Sequence, residues 1–215
     1  MNKNEKFVIT INRELGSGGR TVGRKLAESL GVEFYDKALI KALQEKFNLS
    51  VEEIEALKGR NHGWWAEVER ILSIGPGVTS DYYMPRKGNA PDLLTTKEMF
   101  EAETLILQDI ALRESCVVAG RSGFFVFRAH PNHLSILIQA SMPFRVERVM
   151  RKQNLTEEEA RKTIEKVDQM RENYVKKYTG TSRYDTRNYD LVISADGKTE
   201  DEIVDIIMQY CGLKA

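Results

Sequence analysis

The residues best suited to chemistry are the glycines, hydroxyl groups and charges between positions 13 and 21. They read Arg13-Glu14-Leu15-Gly16-Ser17-Gly18-Gly19-Arg20-Thr21. Successive backbone N–H groups of such a loop can surround a phosphate, and the N-terminus of a following helix adds partial positive charge. Arg20 could neutralise β- and γ-phosphates, and a hydroxyl of Ser17 or Thr21 could hold Mg²⁺. The loop therefore predicts a phosphate-binding site.

The loop departs from the standard P-loop motif, GxxxxGK followed by Ser or Thr. In one register Gly19-Arg20-Thr21 replaces Gly-Lys-Thr, so that Arg20 stands for the lysine. In the other register Gly16 and Gly18 are the loop glycines, Thr21 corresponds to the threonine that follows Gly-Lys-Gly in a P-loop, and Gly19 stands for the lysine. Neither register supplies a lysine, and arginine is not an interchangeable cation. The sequence therefore favours phosphate binding more strongly than fast phosphoryl transfer.

Two alternatives to a phosphate loop are open. A dinucleotide fingerprint, GxGxxG, would have glycine where Thr21 stands, and only Asp36 could be the acid expected about 20 residues later. The other alternative is a glycine-rich turn without a ligand. We favour phosphate because a strand, a loop and a helix follow one another as the motif requires.

The elements that position this loop alternate along the chain. Short apolar, β-branched runs predict strands at about 7–12, 32–36, 116–119, 134–139 and 191–194. Apolar spacing and capping boxes predict helices at about 21–30, 37–47, 100–113, 143–153, 157–178 and 200–210. Buried strands that alternate with helices predict an α/β fold with a mostly parallel central sheet covered on both faces. Ligand sites of such folds collect at the carboxyl ends of the strands.

Length and charge limit the possible functions. The 215 residues are predicted to form a single domain, with an insertion at about 59–97, where helical periodicity weakens. The 32 basic and 32 acidic residues balance, which argues against a nucleic-acid binder and against an anionic membrane surface as partner. The polar start of the sequence and the lack of a long apolar stretch predict a cytoplasmic protein.

Several runs resemble one known family. They are Ile9 to Lys37, which includes the glycine loop; Val117-Val-Ala-Gly-Arg-Ser-Gly123; Ile136 to Arg151; and Asp168-Gln-Met-Arg171. Together they resemble the cytidylate kinase-like family, which is similar to the nucleoside monophosphate kinases. The second run is similar to the Asp-Gly-Arg-Asp loop of true cytidylate kinases, and the last two are similar to segments that lead into and close the lid.

The resemblance implies a three-layer P-loop fold with a helical lid at about 145–183. It also implies small nucleotide substrates, with ATP and Mg²⁺ and with a nucleoside monophosphate such as CMP as acceptor. Gly16 to Thr21 would hold the donor phosphates, and Asp36, Lys37 and Arg121 would bind the acceptor. The cations around the transferred group would be Arg20, Arg121, Arg145, Arg148, Arg151 and Arg171.

The departures from the family leave the acceptor open. True cytidylate kinases have aspartates where this chain has Ala119 and Ser122, and Asp-Ser-Gly where it has Asp36-Lys37-Ala38. A nucleotide-binding sensor or regulatory protein with little turnover is therefore the alternative to a kinase. The arginines of the predicted 143–153 helix share one helix face, which could equally be a solvated basic edge.

Overall fold

The computed structural model describes residues 1–36 and 97–213. The helix predicted at 37–47, Lys37 and nearly all of the predicted insertion at 59–97 lie outside the described residues. The chain divides into two compact units, one formed by Met1–Tyr35 with Ala111–Ala215 and the other by Asp36–Ile110. The first unit carries both loops that the sequence singles out.

The strands of the described residues are β1 Val8–Arg13, β2 Glu33–Asp36, β3 Cys116–Ala119, β4 His133–Gln139 and β5 Leu191–Ser194. They form a sheet in the order β2-β3-β1-β4-β5. The pairs β1–β3, β1–β4 and β4–β5 are parallel, and Ile9 of β1 lies beside Val117 and Leu134. The central strand β1 is buried along its whole length, and its carboxyl end delivers the chain into the glycine loop.

The helices of the described residues are α1 Gly19–Leu30, α2 Lys97–Arg113, α3 Gly123–Val126, α4 Met142–Gln153, α5 Glu157–Thr179 and α6 Glu200–Tyr210. A 3₁₀ turn, Thr186–Asn188, precedes β5. Helix α5 begins at a capping box in which Thr156 and Glu159 satisfy each other's backbone N–H groups, and α1 ends at left-handed Gly31. These local signals determine where α5 begins and where α1 ends.

The main apolar core lies between the sheet and the helices α1 and α6. It joins Ile9 and Ile11 of β1 to Leu26 of α1 and to Ile203 and Ile207 of α6. A second, smaller core holds α4 against α5. Leu15 of the glycine loop belongs to this second core, together with Val149 of α4 and Ile164 of α5. The helix pair α4–α5 is thus packed directly on the loop.

The predicted α/β architecture is confirmed. Strands β3 and β5 and helix α6 have the predicted bounds, and the other predicted elements within the described residues differ by one to three residues at an end. Helix α3 and the 3₁₀ turn are missing from the sequence prediction, since three or four residues are too few to show a helical period. None of the helices in the described residues is long and apolar enough to cross a lipid bilayer.

His133, at the start of β4, gives the fold a testable pH dependence. Its Nε2 lies 2.8 Å from the Thr10 hydroxyl oxygen. Burial lowers the pKa of His133 from 6.5 to about 4, against the opposing charge of Asp190 and with help from His130. The imidazole of His133 therefore takes up a proton more readily in the unfolded chain than in the folded protein. For this reason the contribution of His133 to stability is present above pH 6.5 and is lost as the pH falls toward 4.

The substitution His133→Gln should flatten that part of the pH dependence, because an amide carries no titrating proton. The measurement is the free energy of unfolding in urea for both proteins at pH 7 and at pH 4.5. The wild-type protein should lose more stability than the His133→Gln variant between these two pH values. Equal losses would show that His133 does not titrate with folding.

Candidate active site

The glycine loop joins β1 to α1 at the carboxyl edge of the sheet. Gly16 and Gly18 have φ values of 87° and 84°, in the left-handed region, and Gly18 caps the N-terminus of α1. A β-carbon at Gly16 would lie only 2.7 Å from the carbonyl oxygen of Arg145 in α4. Gly16 is therefore required both by its backbone angles and by the close approach of α4.

Several backbone N–H groups of the loop are available to a ligand. The N–H of Ser17 and its hydroxyl both donate to the carbonyl oxygen of Glu14, at 3.3 and 3.0 Å. Within residues 1–36 and 97–213, the N–H groups of Gly16, Gly18, Gly19 and Thr21 donate no hydrogen bond. Those at the start of α1 point out of the helix N-terminus, where a helix binds anions.

The two hydroxyls that the sequence nominates for Mg²⁺ differ in their surroundings. The Ser17 hydroxyl is buried and is engaged with the Glu14 backbone, whereas Thr21 lies half-buried in the first turn of α1. The described residues contain no cluster of three His, Cys, Asp or Glu side chains able to hold a metal ion. Mg²⁺ is commonly held by one or two protein oxygens together with substrate phosphates, and Thr21 suits that role better than Ser17.

A buried carboxylate, Asp168 of α5, accepts hydrogen bonds from three arginines. Nη1 of Arg145 lies 2.6 Å from one carboxylate oxygen, and Nη1 atoms of Arg183 and Arg171 lie 3.3 and 3.4 Å from the other. The backbone N–H of Leu15 also donates to Asp168, at 3.0 Å. We call Asp168, its three arginines and the Leu15 N–H the Asp168 cluster.

The cluster also holds the end of β1. The carbonyl oxygen of Arg13 accepts hydrogen bonds from Nη2 of Arg183 and from Nη1 of Arg171, the latter at 3.4 Å. Arg183 is 2% exposed, and a guanidinium keeps its charge when buried. Hydrogen bonds between ionised partners are among the stronger ones in proteins. The cluster therefore fixes the backbone on either side of Glu14 to helix α5.

Helix α4 carries two more of the predicted cations, Arg148 and Arg151. Nη2 of Arg148 donates to Glu200 at 2.5 Å, and its guanidinium carbon would lie 3.3 Å from a β-carbon at Gly18. Arg148 therefore lies beside the glycine loop. Arg145 is connected to the same loop through Asp168, which accepts the N–H of Leu15. Arg151, one turn further along α4, is exposed. The structure brings Arg145, Arg148 and Arg171 to the loop and leaves Arg151 on the helix surface.

The second loop follows β3, which lies beside β1 in the sheet. Gly120, Arg121 and Ser122 have φ values of 81°, 55° and 53°. Two successive non-glycine residues in the left-handed region carry a conformational cost, a type of strain that clusters at functional sites. Arg121 is 9% exposed, and its guanidinium lies 5.2 Å from the ring centre of Tyr174 in α5. The Ser122 hydroxyl is buried and has no hydrogen-bond partner in the described parts of the chain.

Arg13 connects the two loops, although the sequence gives it no role. A β-carbon at Gly19 would lie 2.6 Å from Cβ of Arg13, and one at Gly120 would collide with Nη1 of Arg13. The side chain therefore runs from the start of α1 to the second loop. Of the predicted acceptor residues, Asp36 ends β2 and is buried, while Lys37 lies outside the described residues.

Known proteins are similar to this chain over most of its length. The model of the cytidylate kinase-like family matches residues 8–196. A cytidylate kinase from Methanopyrus kandleri is 25% identical over 209 residues, which cover 93% of this chain and 90% of that protein. The match includes both loops, both arginine-bearing helices and the strands that carry the loops.

Solved structures confirm the P-loop kinase fold. An uncharacterized protein from Eubacterium ventriosum superimposes with a TM-score of 0.68 at 23% identity, over 96% of this chain and 99% of that one. A shikimate kinase from Bacteroides thetaiotaomicron superimposes with a TM-score of 0.51 at 16% identity, over 96% and 99% of the two chains. At these identities the likeness establishes the fold.

The two left-handed glycines of the first loop should differ in their tolerance of alanine. Gly18→Ala should cost about 1–2 kcal/mol, because of its backbone angles, since the nearest atoms belong to the movable end of Arg148. Gly16→Ala should cost about 2–5 kcal/mol, because it adds a collision with the α4 backbone. Urea unfolding of both variants tests this, and equal losses would contradict the packing of the loop on α4.

Asp168→Ala should destabilise the protein by about 3–5 kcal/mol, because it leaves buried guanidinium groups without their carboxylate. Asp201→Ala is the matched control. Asp201 pairs with Lys25 at 2.8 Å but its side chain is 77% exposed, so its loss should cost no more than about 1 kcal/mol. Thermal and urea unfolding measure both values. A similar small cost for both variants would refute the central role of Asp168.

Proposed function

Because the chain belongs to the cytidylate kinase-like family, we propose that it is a kinase that transfers the γ-phosphoryl group of ATP to a nucleoside monophosphate. The observation that carries the proposal is the loop before α1, which has available N–H groups and contacts arginines of α4 and α5. Phosphoryl transfer requires positioning and charge neutralisation more than covalent chemistry. An amide-rich loop flanked by arginines suits that requirement.

The donor side of the proposed site is the first loop. The N–H groups of Gly16, Gly18, Gly19 and Thr21 would bind phosphate oxygens, and Arg20 and Arg148 would add positive charge. The Thr21 hydroxyl would hold Mg²⁺, which would neutralise charge on the donor phosphates. Ser17 would shape the loop through its hydrogen bonds to Glu14.

The acceptor side of the proposed site is the second loop. Arg121 would bind the acceptor phosphate, because it follows the carboxyl end of β3, next to the strand that carries the donor loop. Its strained backbone and the buried Ser122 hydroxyl support a binding role. Acceptor binding by Asp36 and Lys37 stays a prediction from the sequence, and CMP is the first acceptor to test within the class of nucleoside monophosphates.

The lid of the proposed enzyme is the region of about 145–183, which contains most of helix α4 and all of α5. Its arginines, Arg145, Arg148 and Arg171, would surround the transferred group, and Arg151 would join them only if the lid closes further. Packing of this pair on Leu15 would exclude water, which would otherwise hydrolyse ATP. We propose that the whole of 1–215 works as one kinase domain in the cytoplasm.

The second candidate function is nucleotide sensing with little turnover. Two observations favour it: neither register of the loop has a lysine, and Asp168 already engages Arg145, Arg171 and Arg183. In a sensor, the nucleotide would bind the same loop without reacting. The two functions therefore share a donor site and differ in whether an acceptor triggers ADP release.

We expect ATP with Mg²⁺ to raise the midpoint of thermal unfolding, because a ligand that binds the folded state stabilises it. ADP release, followed with a coupled assay, should then depend on an added nucleoside monophosphate, with CMP, UMP, AMP and GMP compared. Arg121→Met should raise KM for the acceptor about tenfold or more and leave ATP binding unchanged. ATP binding with no acceptor-dependent ADP release would favour the sensor, and absence of any nucleotide binding would refute both functions.

A further inference from the structure

The conformation of the first loop favours one of the two registers with the P-loop motif. Gly16 and Gly18 both have positive φ values and therefore correspond to the loop glycines. Gly19 is the first residue of α1, at the position that lysine has in a Gly-Lys-Gly arrangement. The lysine that reaches the β- and γ-phosphates in the standard motif is thus replaced by a residue without a side chain.

The reason for a glycine at position 19 is the side chain of Arg13. A β-carbon at Gly19 would lie 2.6 Å from Cβ and 3.2 Å from Cγ of Arg13. Real β-carbons do not approach other atoms so closely, because the repulsion at this distance is steep. The aliphatic stem of Arg13 therefore occupies the space in which a lysine at position 19 would begin.

The other end of Arg13 lies at the second loop. Its Nη1 fills the space that a β-carbon at Gly120 would need. Gly120 has a φ of 81° and directly precedes Arg121. Two glycines, one in each loop, thus make room for one arginine, which is 6% exposed and remains charged. Its carbonyl oxygen is held by Arg183 and Arg171, so the backbone that carries it is fixed.

We propose that Arg13 supplies the phosphate-binding cation of this loop, in place of the missing lysine. Its guanidinium would contact the β- and γ-phosphate oxygens of the donor, between the start of α1 and the second loop. A guanidinium suits this place because its planar donors can bind two phosphate oxygens at once. The inference rests on the proposed function and names a further catalytic residue for it.

The proposed reaction defines where the charge of Arg13 acts. An oxygen of the acceptor phosphate dianion forms a bond to the γ-phosphorus while the bond from that phosphorus to the β–γ bridging oxygen breaks. The electron pair stays on the bridging oxygen of ADP, and no proton needs to move. Arg13 would neutralise the negative charge that gathers on this oxygen, which is the main way that proteins promote phosphoryl transfer.

The first test replaces Arg13 with methionine, which keeps an unbranched stem next to Gly19 and removes the charge. We expect ATP affinity, measured by calorimetry, to fall about tenfold or more and kcat to fall about 10²- to 10³-fold. AMP affinity should change less than about twofold, since AMP has no β- or γ-phosphate. Equal losses for ATP and AMP would mean that Arg13 only supports the loops, and unchanged values for both would also overturn the assignment.

The second test moves the cation from the end of β1 to the first residue of α1. Arg13→Gly should lose activity, and Arg13→Gly combined with Gly19→Lys should recover about tenfold or more of kcat, because removal of the Arg13 stem opens the space for lysine. If Arg13→Met does not fold, this pair of variants decides alone. A folded double variant, verified by circular dichroism, that recovers nothing would overturn the proposal.

Two further variants identify which cation matters. Arg20→Met tests the other register, and an ATP-specific loss larger than that of Arg13→Met would transfer the role to Arg20. Arg128→Met is the control, because Arg128 follows α3, is exposed and has its guanidinium over the ring of Phe125 in α3. It should leave ATP affinity and kcat unchanged.

The outcomes for the proposed function and for Arg13 are distinguishable. A wild-type protein that binds no nucleotide would refute the proposed function. An active wild-type protein whose Arg13→Met variant keeps full activity would refute only the role of Arg13.

Discussion

The Asp168 carboxylate is the interaction on which the geometry of the first loop depends. It binds the N–H of Leu15 directly, and through Arg183 and Arg171 it holds the carbonyl oxygen of Arg13. Because these backbone groups flank Glu14, their positions set the path by which the chain leaves β1 and turns into α1. A loop fixed in this way loses little conformational freedom when it binds an anion, which is how preorganisation improves affinity.

Glycine is the second constraint on the loops, and it acts through close approach as much as through backbone angles. Gly16 allows α4 to contact the loop, while Gly19 and Gly120 leave room for Arg13. A small side chain at these positions would change the distances between the loop, helix α4 and Arg13 together. The glycines therefore determine where the positive charges stand, although they carry no charge themselves.

Local signals made much of the fold predictable. The capping box of Thr156 and Glu159 predicts the start of α5, and the apolar run Cys116–Ala119 predicts β3. The contacts of the candidate site could not be predicted in the same way, since they join residues far apart in sequence. Leu15 and Asp168 are 153 residues apart, and Arg183 lies in a polar stretch whose burial no periodicity indicates. Residue types in the sequence predict an anion site, and the folded structure adds which arginines lie beside the loop.

The position of each partner in the Asp168 cluster limits which bonds would break if the proposed lid opened. Arg145, Asp168 and Arg171 all belong to α4 or α5 and would move together, so the 2.6 Å pair between Arg145 and Asp168 would survive. The hydrogen bonds that cross from α5 to the loop end at the N–H of Leu15 and the carbonyl oxygen of Arg13, and Arg145 of α4 also forms a 3.7 Å ion pair with Glu14 of the loop. Opening of the proposed lid would therefore release the loop from both helices while Arg145 kept its bond to Asp168.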